Sequence, residues 1–177
     1  MEIKTLILLV LVCAIGVSGC ADKSPVEKLA PEDAGADNVA DTMESIPAAA
    51  DLFSVFANES SYKDWSIWPG KEAMMGGNGV HGDYVSIYVS NNAFSAAEVG
   101  GGPMPYETMV VKEGFNADKE LTGIYLMYKL EGFDSDNNDW FWASYSADGT
   151  VKSEGKVGGC INCHEGKKDV DYIFVNA

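Results

Sequence analysis

The sequence contains no arginine, so all twelve of its basic residues are lysines. Acidic residues number 27, and the formal net charge at pH 7 is -15. Such an excess of negative charge disfavours binding to nucleic acids and to anionic lipid surfaces, and it favours solubility or a cationic docking partner. We therefore expect no nucleic-acid partner.

Histidine and cysteine are also scarce, with two and four residues, yet three of these six stand together near the end of the chain. The run is Cys160, Ile161, Asn162, Cys163 and His164. Two thiols three positions apart, followed directly by a histidine, are the pattern that attaches haem c. Each sulfur adds to a porphyrin vinyl group and the imidazole ligates the iron. The sequence thus predicts one covalent haem c with His164 as the axial ligand.

Three other sites use the same residue types. A structural zinc site needs four ligands, and only His81 remains to join Cys160, Cys163 and His164 once the two cysteines near the N-terminus are set aside. A thioredoxin-like redox pair belongs early in a βαβ unit, whereas this pair follows a strand-rich region. A disulfide between thiols this close in sequence would make a strained loop. Covalent haem is favoured over all three.

Residues 1–19 are typical of a signal peptide. Lys4 precedes an apolar run from Leu6 to Val17, which is short for a bilayer span and has the length of a signal-peptide core. The run ends at Cys20 in a pattern that resembles a bacterial lipobox, in which that cysteine becomes the lipidated first residue. We expect export and a lipid anchor at the periplasmic or outer face of a bacterial membrane. The alternatives are a plain membrane anchor and export without lipidation.

Residues 20–50 are rich in Ala, Asp, Glu and Pro and contain few large apolar side chains. Such a segment cannot bury enough surface to fold alone, so it is predicted to be an acidic disordered tether before a haem domain at 51–177. Cys13 would leave with the signal peptide and Cys20 would carry the lipid. Because Cys160 and Cys163 hold haem, no cysteine is left for a disulfide.

Apolar and small polar residues alternate, or β-branched residues cluster, in four segments that predict strands: 85–90, 108–113, 121–130 and 140–146. A turn at 147–150 leads into a further strand at Val151. Short helices are expected at 51–58, 92–99 and 160–168, and a last strand at 171–175. The acidic and amide cluster at 134–139 lacks the spacing of a calcium-binding EF-hand, which favours a solvated hairpin loop.

From Tyr62 to Val175 these pieces resemble the cytochrome P-460 family, which includes the β-sheet cytochromes c′ (cytochrome c′-beta). The resemblance rests on residues in the family's order: Tyr62, Lys63, Trp65, His81, Gly82, Val85, Tyr88, Val89, Thr108, Val110, Val111, Lys112, Glu113, Asp139, Trp140, Asp148, Gly149, Gly155, Lys156, the haem pentapeptide, Asp171, Tyr172 and Phe174. It implies an α+β fold: a mainly antiparallel β-sheet with a few short helices, one haem c packed on the sheet, and a homodimer.

The resemblance gives Lys112 a specific role. In P-460 members the lysine of the matching Val-Lys-Glu segment is covalently joined to a haem meso carbon, whereas cytochromes c′-beta keep a lysine there without the bond. An amine buried against an apolar porphyrin has a lowered pKa, and its neutral form can attack an oxidised macrocycle. The alternative is a lysine whose stem runs along the sheet and whose ammonium is exposed.

No methionine follows His164, so the sixth iron position has no downstream ligand. His81 could ligate iron, but the matching position in the resembling family leaves the iron five-coordinate. Met104, Met109 and Met127 are the remaining candidate ligands, and a role in the core is favoured for each. The resemblance therefore implies an iron with one open face.

An open iron face suggests two functions, both implied by the resemblance. The first is oxidation of hydroxylamine toward nitrogen oxides, with a carboxylate taking the protons and a redox partner cytochrome taking the electrons. Glu154, shortly before the haem motif, is the candidate proton acceptor. The second is binding of nitric oxide or carbon monoxide in a pocket capped by aromatic residues. Plain electron transfer would need a sixth ligand.

Overall fold

The computed structural model of the chain describes residues 46–174. Within that range a single antiparallel sheet contains seven strands: β1 Ser66–Ile67, β2 Met75–Gly76, β3 Tyr84–Val89, β4 Met109–Phe115, β5 Leu121–Lys129, β6 Trp140–Ser146 and β7 Val151–Gly155. Three short α-helices accompany it: α1 Ala49–Phe53, α2 Phe94–Val99 and α3 Gly158–His164. The α+β class with a mainly antiparallel sheet is confirmed.

The strands lie in the order β1-β3-β4-β5-β6-β7, and β2 also pairs with β3. In the centre of the sheet Lys112 lies opposite Ile87 on β3 and opposite Tyr125 on β5. Because successive side chains of a strand point to opposite faces, Lys112 and its neighbour Glu113 lie on different faces.

The two faces carry separate cores. The front face, which includes Lys112, has an apolar core that contains Ile87, Val89, Val110, Met127, Trp140 and Trp142, and α2 and α3 pack on it. The back face has a core that contains Val111, Ile124, Leu126, Phe141 and Tyr145. The back core is completed by Leu52 of α1 and by Phe56 of the π-helical turn Ser54–Glu59. The sheet is therefore buried on both sides.

The strands predicted at 85–90, 108–113, 121–130 and 140–146 are confirmed to within two residues at each end, as is the strand that begins at Val151. The helix predicted at 92–99 is α2 with a preceding 3-10 turn. The helix predicted at 160–168 is α3 followed by the 3-10 segment Glu165–Val170. The signal peptide, Cys20 and residues 21–45 of the tether lie outside the described residues.

One local prediction is wrong, and the hairpin loop predicted at 134–139 is confirmed as a connection between β5 and β6 but is only partly solvated. The strand expected at 171–175 is instead a turn, because Asp171 and Tyr172 have φ of 57° and 64°, in the left-handed region that no strand uses. The cluster at 134–139 is not simply solvated, since Asp134 is 4% exposed and its backbone N–H donates to the Asp139 carboxylate at 3.0 Å.

Between residues 46 and 174 no helix combines the length and the apolar character that a membrane crossing requires.

Candidate functional site

Helix α3 presents the three residues of the haem motif on one side. Cys160, Cys163 and His164 stand at helical positions i, i+3 and i+4, which are neighbours on a helix surface. Cys160 is half-buried and Cys163 exposed, and both are free thiols. His164 ends the helix and is buried, with 9% of its surface exposed. The local sequence thus brings two nucleophilic sulfurs and one imidazole together.

The tautomer of His164 follows from its hydrogen bond. Its Nδ1 lies 2.8 Å from the carbonyl oxygen of Tyr172. Because a carbonyl oxygen only accepts, Nδ1 carries the hydrogen and Nε2 keeps a free lone pair. Burial lowers the pKa of His164, which keeps the imidazole neutral at neutral pH. His164 is therefore ready to ligate a metal through Nε2.

A cavity of about 260 Å³ lies between α3 and the front face of the sheet. Cys160, Cys163 and His164 line one side of it, and the front-face side chains of Ile87, Val110, Lys112, Tyr125, Met127 and Trp142 line the other. A second cavity of about 350 Å³ adjoins it and shares Ile87, Lys112, Cys163 and His164. We call the two together the front cleft. Its walls are mostly apolar, as a porphyrin requires.

Lys112 projects from β4 into the front cleft. Desolvation by burial lowers the pKa of its ammonium group, and a thiolate at Cys163 would oppose this effect. The sequence-based expectation that this lysine is desolvated against an apolar site therefore agrees with the structure. Its location beside the cysteines of α3 is what a link to a porphyrin held by those cysteines needs.

His81 lies closer to the site than its sequence position indicates. Its ring centroid is 4.4 Å from that of Tyr125 and 6.5 Å from that of His164, and it lines both cavities. Desolvation by burial, with smaller electrostatic effects of the neighbouring Lys112 and His164, lowers the pKa of His81 to about 4. Its Nδ1 is buried without a hydrogen-bond partner among the described residues. The front cleft thus holds a second neutral imidazole.

The structure does not bring Glu154 to the front cleft. On β7 it lies opposite Ala143, whose side chain belongs to the back core. Its carboxylate accepts a hydrogen bond of 2.6 Å from the backbone N–H of Ala49, the first residue of α1. Glu154 therefore caps a helix on the other side of the sheet. No aspartate or glutamate is among the described residues that line the front cleft.

The sequence did not predict a buried ion pair at Asp171, the residue before the Tyr172 that contacts His164. Lys129 Nζ lies 2.6 Å from Oδ1 of Asp171, and both side chains are almost fully buried. One sequence signal existed, because a lysine at the end of the apolar run Tyr125 to Tyr128 is expected to need a buried partner. Nothing in the sequence identified that partner.

The sequence matches the profile of the Cytochrome P460 family over residues 59–175. The chain belongs to the cytochrome P460 family. The family implies a haem cofactor, and the matched region contains every residue of the front cleft described above. No curated protein matches the sequence.

The residues present in this P460 chain fit a haem. Two free thiols and an imidazole with an unprotonated Nε2 line an apolar cleft, which is the donor set that holds haem c. Lys71 also lines the cleft, and its ammonium is suited to a haem propionate in a chain without arginine.

Proposed function

We propose that this chain is an exported mono-haem c-type cytochrome of the P-460 type that oxidises hydroxylamine at an open iron face. The observation that carries the proposal is the position of Lys112, half-buried in the same cleft as both cysteines and His164. In this proposal Cys160 and Cys163 hold the haem through thioethers and His164 Nε2 ligates iron. When bound, the haem supplies a redox-active iron that can take a small ligand on its free side.

The residues around the cleft prepare it for such a ligand. Ile87, Val110 and Met127 form an apolar wall along one side of the cleft. The Tyr172 carbonyl holds His164 in the tautomer that leaves Nε2 free. Each two-electron oxidation of hydroxylamine releases two protons, and the electrons pass to a redox partner cytochrome. The net charge of -15 favours a partner with a cationic docking surface.

The bond at Lys112 is part of the proposal. With haem bound, Lys112 would supply a neutral Nζ as the nucleophile for a nitrogen–carbon bond to a meso carbon. The bond would replace one N–H and one C–H bond, and the two protons and two electrons released would reduce one equivalent of a peroxide-class oxidant to water. Burial supports this role, because it lowers the pKa of Lys112 and so raises the fraction of neutral amine.

The cross-link gives the first testable prediction. Peptide mapping of the purified protein should find the peptide that contains Lys112 joined through haem to the peptide that contains Cys160 and Cys163, and the ferrous Soret band should be strongly red-shifted. Lys112→Met should separate the two peptides and restore an ordinary c-type spectrum. Lys71→Met, at another lysine of the cleft, is the matched control and should keep the link. Separate peptides and an ordinary c-type spectrum in the unaltered protein would contradict the cross-link.

Binding of nitric oxide or carbon monoxide without turnover is the second candidate function. The apolar walls and the lack of a carboxylate among the described cleft residues favour it, because a neutral diatomic ligand needs no proton acceptor. Hydroxylamine turnover with an added electron acceptor would support the enzyme. Tight nitric oxide binding with no turnover would support the binding protein. Glu154 is not expected to affect either reaction, because it lies away from the cleft.

Export and anchoring complete the proposal. Haem c is attached outside the cytoplasm, and the pattern that ends at Cys20 resembles a lipobox. We include in the proposal a lipid anchor at Cys20, an acidic tether that ends before α1 at Ala49, and a homodimer of the domain that follows. A lipid anchor on one cysteine would be its only membrane attachment.

A further inference from the structure

We infer that the buried ion pair between Lys129 and Asp171 positions the carbonyl of Tyr172 and thereby sets how strongly His164 binds iron. Lys129 and Asp171 are positioning residues, since neither lines the front cleft. The inference rests on the assignment of His164 as a haem ligand in the proposed function.

Lys129 and Asp171 form a bidentate ion pair that is almost fully buried. Lys129 Nζ donates to both carboxylate oxygens of Asp171, at 2.6 and 2.8 Å. The side chains are 7% and 2% exposed, so water screens this attraction little. The ammonium also lies 4.9 Å from the centroid of the Trp140 ring, a cation–π contact. These contacts fix the carboxylate of Asp171 relative to β5 and β6.

Other donors fix the rest of Asp171. The backbone N–H of Met104 donates to its Oδ2 at 2.7 Å, and Asn138 Nδ2 donates to its Oδ1 at 3.0 Å. Trp140 Nε1 donates to the Asp171 backbone carbonyl at 3.0 Å. Both the main chain and the side chain of Asp171 are therefore held by hydrogen bonds. This fixes the position of the backbone that leads into Tyr172.

The turn that follows needs this support. Asp171 and Tyr172 both occupy the left-handed region, which is strained for residues other than glycine. Such a conformation persists only where surrounding contacts hold it. Its result is that the Tyr172 carbonyl accepts the hydrogen of His164 Nδ1 at 2.8 Å. An unbroken series of contacts thus runs from Lys129 through Asp171 and Tyr172 to His164.

The chemical consequence concerns the basicity of His164. A hydrogen bond from Nδ1–H to a well-placed acceptor makes the imidazole a stronger electron donor at Nε2. A stronger donor stabilises ferric over ferrous iron and keeps the midpoint potential low. If the turn loosens, the hydrogen bond weakens and the potential should rise.

The test is a spectroelectrochemical titration of the purified holoprotein and four variants. Asp171→Asn and Lys129→Met should each shift the midpoint potential to more positive values, and Lys129→Arg should return it toward the original. Glu113→Gln is the matched control: this carboxylate is also buried and accepts the Tyr62 hydroxyl hydrogen at 2.8 Å, but it lies on the back face. It should lower stability and leave the potential unchanged.

The outcomes separate this inference from the proposed function. Haem-loaded variants of Lys129 and Asp171 with the potential of the unaltered protein would overturn the inference and leave the proposed function standing. If Asp171→Asn fails to fold, the Lys129→Met and Lys129→Arg pair decides the question alone. An unaltered protein without covalent haem would overturn both.

Discussion

Replacing Cys160 and Cys163 together with alanine, in a Lys112→Met background that removes the proposed bond to Lys112, should abolish covalent haem attachment. Both thiols are free and lie on the side of α3 that lines the front cleft, so the double variant has no sulfur left to form a thioether. The measurement is haem staining after denaturing electrophoresis, combined with extraction of haem into acidified organic solvent. We expect complete loss of the stained band.

The controls for this experiment use the same cleft. Each single variant keeps one thiol and should retain part of the haem through one thioether. Ser144→Ala removes a cleft hydroxyl whose hydrogen bond is with Ser153 and should leave staining unchanged. An intact haem band in the double cysteine variant with Lys112→Met would contradict the attachment site.

Asp171→Ala should produce the largest loss of stability among single substitutions of charged residues. It leaves the Lys129 ammonium buried without a counter-charge, and breaking a buried pair from one side costs about 3–5 kcal/mol. The double variant Lys129→Met with Asp171→Asn should cost less than the sum of the two single changes, because neither charge then remains buried. Urea unfolding of the unaltered protein, Lys129→Met, Asp171→Asn and the double variant gives the double-mutant cycle.

The ion pair between Lys63 and Glu113 supplies the contrast, because only one partner is buried. Lys63 Nζ lies 3.3 Å from Glu113 Oε1, and the lysine side chain is 60% exposed whereas that of Glu113 is 4% exposed. Lys63→Met should change the free energy of unfolding by no more than about 1 kcal/mol, because water screens the exposed ammonium and the Tyr62 and Tyr88 hydroxyls still donate to the Glu113 carboxylate. A similarly small cost for Asp171→Ala would contradict the importance of the buried pair.

The strands and the haem motif could be predicted because their signals are local. Period-two alternation places the apolar side chains of β3 to β6, and the run from Cys160 to His164 needs no distant residue to be recognised. Family membership was also accessible, since it depends on residue order along the chain. These features follow from neighbours in sequence.

The features that were missed depend on contacts distant in sequence. The turn at Asp171 is held by Lys129, which is 42 positions away, and by Trp140, so its own sequence predicts only an extended segment. Glu154 points to the back face because of the register of β7 against β6, which shifts at Ser144 and Tyr145. Residue type and closeness to the haem motif gave no information on that register.

The position of His81 also depends on contacts distant in sequence, because the loop that carries it approaches the sheet closely. A Cβ at Gly114 would clash with the carbonyl oxygen of His81, so the loop can pack there only because position 114 is glycine. This packing brings the His81 ring beside Tyr125 and into the front cleft. A lone glycine in a strand indicates a close approach without naming what approaches.

Because His81 lines the front cleft, the coordination number of the iron is the property that needs measurement. The central claim is a haem c anchored by Cys160 and Cys163, ligated by His164 and open on its other side. Electron paramagnetic resonance and absorption spectra of the ferric protein at rest test it most directly. The proposal predicts a high-spin, five-coordinate signal that responds to added nitric oxide. A low-spin signal at rest, converted to high spin by His81→Ala, would contradict it.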